Sequence, residues 1–145
     1  MSARTTSAKE PDMTALTVTT DRTKFLRLAL SADAVVTGGN GLVYLALAAP
    51  VSSLLGPEAG VLRGIGAFLL VYGAAVGFLA TRRPISPAAT KAVIALNIIW
   101  TLGSVAVVVT GAAGLTTIGA IWAIAQALVV GVFAELQITG LRKIR

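Results

Sequence analysis

The chain contains no cysteine and no histidine. Those two absences exclude disulfides, thiol redox chemistry, metal sites built on thiolate or imidazole, histidine-ligated haem and a histidine general base. They leave the compartment open, because a chain without cysteine is neutral on redox. Charge is the next shortage: 12% of the 145 residues are charged and 56% are hydrophobic, whereas soluble domains carry about a quarter charged residues. A soluble domain of this length buries one core under a polar skin, and too little polar material is present to make that skin. Lipid must be the solvent for most of this surface.

What the sequence does have is long apolar runs with cations beside them. Residues 1–23 are rich in serine, threonine and charge, lack an apolar period, and read as a mobile cytoplasmic tail. A bilayer core of ~30 Å needs about 20 helical residues at ~1.5 Å each. Four segments meet that length, at about 25–47, 61–80, 88–110 and 115–138, within a membrane domain of 24–139. A basic tail follows at 140–145. The run before Ala46-Leu47-Ala48 has features of a cleavable secretion signal, but it is too long, and Asp33 and Asn40 interrupt it. Arg82, Arg83 and Pro84 close the second segment, and Pro87 suits the start of the third. Gly111 to Gly114 make a turn short enough for the last two segments to pack as neighbours. Length and the lack of period-2 alternation favour helix over strand. The expected fold is therefore all-α, four transmembrane helices in an antiparallel up-down bundle. No internal repeat is evident.

The cations set the orientation. Arg22, Lys24 and Arg27 precede the first segment, Arg82, Arg83 and Lys91 surround the second loop, and Arg142, Lys143 and Arg145 follow the fourth. The first loop has Glu58, with Arg63 at its edge, and the third has no charge. Positive residues stay on the cytoplasmic side, so both termini are expected there, in an inner membrane. The net charge of +6 is explained by this topology, and no nucleic-acid partner is expected. The bilayer, a second copy or another membrane protein are the expected partners, with no cofactor and no metal.

Polar side chains are costly in lipid, so their spacing is informative. Asp33, Thr37, Asn40 and Tyr44 recur at i, i+4, i+7 and i+11, on one face of the first helix. Asn97, Thr101 and Ser104 repeat that rhythm on the third. Gln126, Phe133 and Gln137 share one side of the fourth, and Glu135 projects elsewhere. Counting ~1.5 Å per residue from the cytoplasmic ends, Asp33 and Asn97 form one polar layer. Asn40, Ser104 and Gln126 form a deeper one near mid-membrane. Asn40, Asn97, Ser104 and Gln126 suit interhelical hydrogen bonds of about 0.5–2 kcal/mol each. Glu135 is shallow enough to snorkel to headgroups or to pair with Arg142. Gly66, Gly73 and Gly77 on the second helix form a packing stripe, either within the bundle or against another copy. Trp100 lies too deep for an interface anchor and is expected to pack. Asp33 is different. A lone carboxylate at that depth either is protonated and donates a hydrogen bond, for example to Asn97, or alternates between protonation states, and an intramembrane acid is by default a functional candidate.

The stretches LALSADAVVTGGNGLVYL, LRGIGAFLLVYG, ALNIIWTLGSV and AQALVVGVFAELQ resemble those of small four-helix membrane proteins of high-GC bacteria, and the layout is similar to that of the DoxX-like group. The resemblance spans roughly Phe25 to Gln137. It implies a four-helix inner-membrane protein and no particular activity.

Three functions remain open from these residues. The first is a non-enzymatic accessory or interaction protein, suggested by the sparse polar content and the glycine face. The second is a proton-coupled transporter or channel subunit using Asp33, with Thr37, Asn40, Tyr44, Asn97, Thr101 and Ser104 along a wet path. The third is a lipid- or quinone-binding module, its cleft lined by Asp33, Tyr44, Asn97, Trp100 and Gln126. No catalytic residue is expected, because one deep aspartate and one shallow glutamate do not supply activated groups in mutual reach.

Overall fold

The computed structural model describes the backbone of residues 2–144 and the side chains of residues 23–144. Five helices account for the fold: α1 (Ser2–Ala46), α2 (Ala48–Leu55), α3 (Ala59–Thr81), α4 (Pro87–Thr110) and α5 (Thr117–Lys143). No strand occurs among the described residues. Four spans are long and apolar enough to cross a membrane: Thr23–Ala46, Ala59–Thr81, Pro87–Thr110 and Thr117–Lys143. The expected mobile tail, 1–23, falls almost wholly on residues whose side chains lie outside those described.

Two features differ from the sequence expectation. The first loop contains α2. Pro50 has no N–H and its ring crowds the carbonyl four residues earlier, so it bends a continuing helix. The break falls at Leu47 (φ −122°, ψ 33°). Pro50 then occupies the first turn of α2, where the missing N–H has no intrahelical partner to lose. The second difference is that α5 continues through Gly140 into the basic segment 140–145. Gly140 is a contact residue rather than a stop, since a Cβ added there would meet the Leu26 Cα at 3.0 Å. Arg142 and Lys143 lie in the last turn, where cations complement the helix dipole.

The other helix ends follow local chemistry. The Ser86 hydroxyl caps α4 by accepting from the Ala89 N–H at 3.2 Å, with Pro87 in the first position. Gly111, at φ 69°, closes α4 in the left-handed conformation that glycine adopts without a Cβ penalty. The Thr116 hydroxyl accepts from the Gly119 N–H at 2.9 Å and starts α5.

Packing follows small residues. α1 lies chiefly against α3, then against α5, and α5 lies against α4. The glycine stripe on α3 faces α1, so it is used within the bundle. A Cβ on Gly73 would sit 2.7 Å from the Gly38 nitrogen, and one on Gly66 would sit 2.8 Å from the Gly41 carbonyl oxygen. Gly77 is looser, 3.5 Å from the Ala34 Cβ by the same construction. α3 and α4 follow each other in the chain yet touch little. Where they do meet, Leu26, Leu30, Val76, Ile85 and Val93 form one apolar cluster. Beyond that cluster the two helices part. Exposed large apolar residues such as Val35, Val71, Val109 and Leu128 cover the outside of all four long helices, a surface suited to lipid.

Candidate functional site

The polar stripe of α1 faces inward, and each of its residues finds a partner. Asp33 and Gln137 are 0% exposed and Asn97 is 3% exposed. The Thr37 hydroxyl donates to Asp33 Oδ1 at 2.8 Å. Asn97 Nδ2 donates to Asp33 Oδ2 at 2.8 Å, and Gln137 Nε2 donates to the same oxygen at 2.7 Å. Asn97 Nδ2 also reaches Gln137 Oε1 at 3.0 Å. The Tyr72 hydroxyl completes the cluster, 3.0 Å from Asn97 Oδ1 and 3.2 Å from the Val93 carbonyl. Helices α1, α4 and α5 thus meet at one carboxylate, and α3 joins them through the Tyr72–Asn97 bond.

The sequence left Asp33 either protonated and donating, for example to Asn97, or alternating between protonation states. The structure pairs Asp33 with Asn97, whose amide nitrogen can only donate, so at that contact Asp33 Oδ2 accepts. Among the described residues, every fully buried side-chain nitrogen or oxygen has a partner. The cluster is closed on itself.

The deeper layer forms a second set of cross-links between α1 and α5. Asn40 Nδ2 donates to Gln126 Oε1 at 3.1 Å, and Trp122 Nε1 donates to the Tyr44 hydroxyl oxygen at 2.7 Å. Asn40 and Tyr44, like Trp122 and Gln126, are four residues apart on their helices, so the two bonds are successive rungs one turn apart. Ser104 was expected to join Asn40 and Gln126 in hydrogen bonding, but it makes no hydrogen bond among the described residues. Thr101 turns its hydroxyl back to the Asn97 carbonyl at 2.9 Å. Glu135 is exposed on the outside of α5, away from both layers.

Between the separated parts of α3 and α4 lies a cavity of about 550 Å³. Its wall is mostly apolar and takes residues from all five helices. Tyr44, Asn97, Trp100 and Gln126 line it, as the sequence suggested for an apolar-ligand cleft, together with Thr37, Asn40 and Ser104. Asp33 does not. Two residues missing from the sequence-derived site, Tyr72 and Trp122, also line it. The aromatic side of the wall is ordered: Phe68 stacks on Tyr72 with centroids 5.8 Å apart, and on Trp100 at 6.3 Å.

At one end of the cavity lies Leu55 of α2, a helix fastened to the start of α5. The Thr116 N–H and hydroxyl take the Leu55 and Leu54 carbonyls at 2.9 and 2.7 Å, satisfying groups that a helix C-terminus leaves free. Gly119 lets the two backbones meet, because any Cβ there would collide with the Leu55 carbonyl. Leu55 and Pro57 then face the cavity. The other end of the bundle brings together Arg27, Arg82 and Lys143. The Arg27 guanidinium donates to the Ala80 carbonyl and, at 3.2 Å, to that of Arg82, capping α3. Lys143 lies over the Phe25 ring at 4.2 Å.

Of the two acids within the spans, Asp33 is enclosed by neutral donors and Glu135 is outside, and the space between the helices is apolar with a few polar atoms, the ordinary make-up of a small-molecule site. Compared with protein-family models, with curated proteins and with solved structures, the chain finds no match.

Proposed function

We propose that this is a non-enzymatic protein of the cytoplasmic membrane that holds a lipid-soluble ligand between α1, α3, α4 and α5. The four spans run alternately up and down with both termini in the cytoplasm. Contacts pairing Ala34 with Gly77 and Gly41 with Gly66, and Asn97 with Gln137 and Thr101 with Ala127, support the alternation. The gathering of Arg27, Arg82 and Lys143 at one end supports the orientation. The observation that carries the functional reading is the cavity of about 550 Å³, within the range of about 300–1,000 Å³ typical of ligand sites.

The proton-coupled reading has less support, because Asp33 is fully buried and lies outside the cavity wall. An accessory role towards another membrane protein is compatible with a ligand-holding cavity.

Gly103 provides the test. It lines the cavity, and a Cβ placed on it meets nothing within 4 Å. Gly103→Leu therefore fills the space without forcing backbone apart, and exchanges glycine for a better helix former. Extracts of the purified wild type, read by mass spectrometry, are expected to contain an apolar molecule that extracts of Gly103→Leu lack. Identical extracts would count against the reading.

A further inference from the structure

We infer that the cavity is built for a neutral lipid carrying a carbonyl oxygen, seated at the two rungs between α1 and α5. This rests on the ligand-holding reading above and adds the charge and chemical group of the ligand. No lysine, arginine, aspartate or glutamate lines the cavity, so a charged head would enter a low-dielectric space without a counter-ion, which is strongly unfavourable.

Several polar groups of the residues that line the cavity have no partner among the described residues, and more of them are donor groups than oxygens. Gln126 Oε1 is occupied by Asn40 Nδ2, which leaves the Gln126 amide N–H groups without an acceptor among the described residues. The Tyr44 hydroxyl oxygen is occupied by Trp122, which leaves its own O–H to donate. The Ser104 hydroxyl is unpaired among the described residues. Against these donors stand Asn40 Oδ1 and the Ser104 oxygen as free acceptors. Every fully buried side-chain polar atom described is satisfied, so the unpaired ones are not sealed, and the residues that carry them line the cavity. In hydrocarbon such donors have no water to turn to, and an oxygen acceptor such as a carbonyl satisfies them. An ester of a glycerolipid and the ring ketone of a quinone both have that chemistry. The stacked Phe68, Tyr72 and Trp100 give the remainder of the molecule an apolar wall.

The chain has two tryptophans, and both line the cavity, so quenching of intrinsic fluorescence reads occupancy. Detergent-solubilised protein would be titrated with a dibrominated fatty-acid methyl ester, a decyl benzoquinone, a brominated alkane and a brominated alkylsulfonate. The expected result is saturable quenching by at least one carbonyl probe, roughly tenfold tighter than by the alkane, the free-energy equivalent of about one hydrogen bond. The sulfonate should bind weakest. The tighter of the two carbonyl probes identifies the source. Gln126→Leu should remove the carbonyl advantage and leave alkane binding unchanged. Ser104→Ala, which breaks no bond described within the protein, should reduce it in the same direction and serves if Gln126→Leu does not fold. Equal affinity for carbonyl, alkane and sulfonate probes would overturn the inference while leaving the cavity as a binding site. No saturable quenching by any probe would overturn both.

Discussion

Asp33 organises the polar interior by accepting from three side chains at once. Removing an acceptor from a buried cluster costs more than the bond itself, because the donors are left without partners. Asp33→Leu strands the Thr37 hydroxyl and the Asn97 and Gln137 amides, and is expected to lower stability by about 2–5 kcal/mol. Asp33→Asn keeps one oxygen for Asn97 and Gln137, and the Thr37 hydroxyl can rotate to accept from the new amide. It should cost about half as much or less. Thermal melting in detergent checks the order: a leucine variant as stable as the asparagine variant would contradict the acceptor role. Much of this was legible from spacing. The i, i+4, i+7, i+11 stripe gave the inward face of α1, and equal depth paired Asp33 with Asn97 and Asn40 with Gln126. Gln137 escaped notice as a site residue because it lies near the end of its span, where a polar residue needs no partner. Periodicity gives a face and a depth, whereas the partner of Asp33 depends on how α5 rotates against α1.

At the scale of the helix, two junctions set the shape. The α1–α3 seam depends on backbones meeting at Gly73 with Gly38, and at Gly66 with Gly41. Gly73→Leu is expected to force the helices apart at about 1–3 kcal/mol, whereas Gly38→Ala, whose new methyl meets nothing within 4 Å, should be near neutral. Comparing the two melting temperatures in the same detergent tests the seam. The second junction ties α2 to α5 through Thr116. Thr116→Val removes both the cap of α5 and the bond to Leu54, and should cost about 1–2 kcal/mol. Faster amide exchange should appear over α2 while α4 is unchanged. The glycine stripe was visible in the sequence, but its use inside the bundle was not, because the same pattern serves dimers. The helix α2 was hidden for a different reason: eight residues with a proline are too few to carry a readable period.

For the whole molecule, the arrangement is an open ring in the order α3, α1, α5, α4, closed at one end by apolar packing and parted at the other. The sequence specified four spans and their cations, and the chemistry of the last turn made α4 and α5 neighbours. It held no sign of the gap, since a cavity is defined by what neighbouring helices fail to fill. Topology is directly testable because the chain has no cysteine. Single cysteines at Glu58 or Ala112 should react with an impermeant maleimide in intact cells, and one at Arg83 only after permeabilisation. The reverse pattern would invert the protein in the membrane.

The bond between Asp33 and Gln137 joins residues 104 positions apart, and this has a bearing on how the protein is made. α1 is the least apolar of the four spans, and an aspartate within it opposes insertion by about 2.5–3.5 kcal/mol. Its donors on α4 and α5 emerge from the ribosome long after it does. The first span is therefore expected to settle only when the last arrives. A chain stopped after Thr110 should accordingly leave its first span poorly inserted and prone to proteolysis, so nascent molecules lacking their final helix would be cleared before they accumulate.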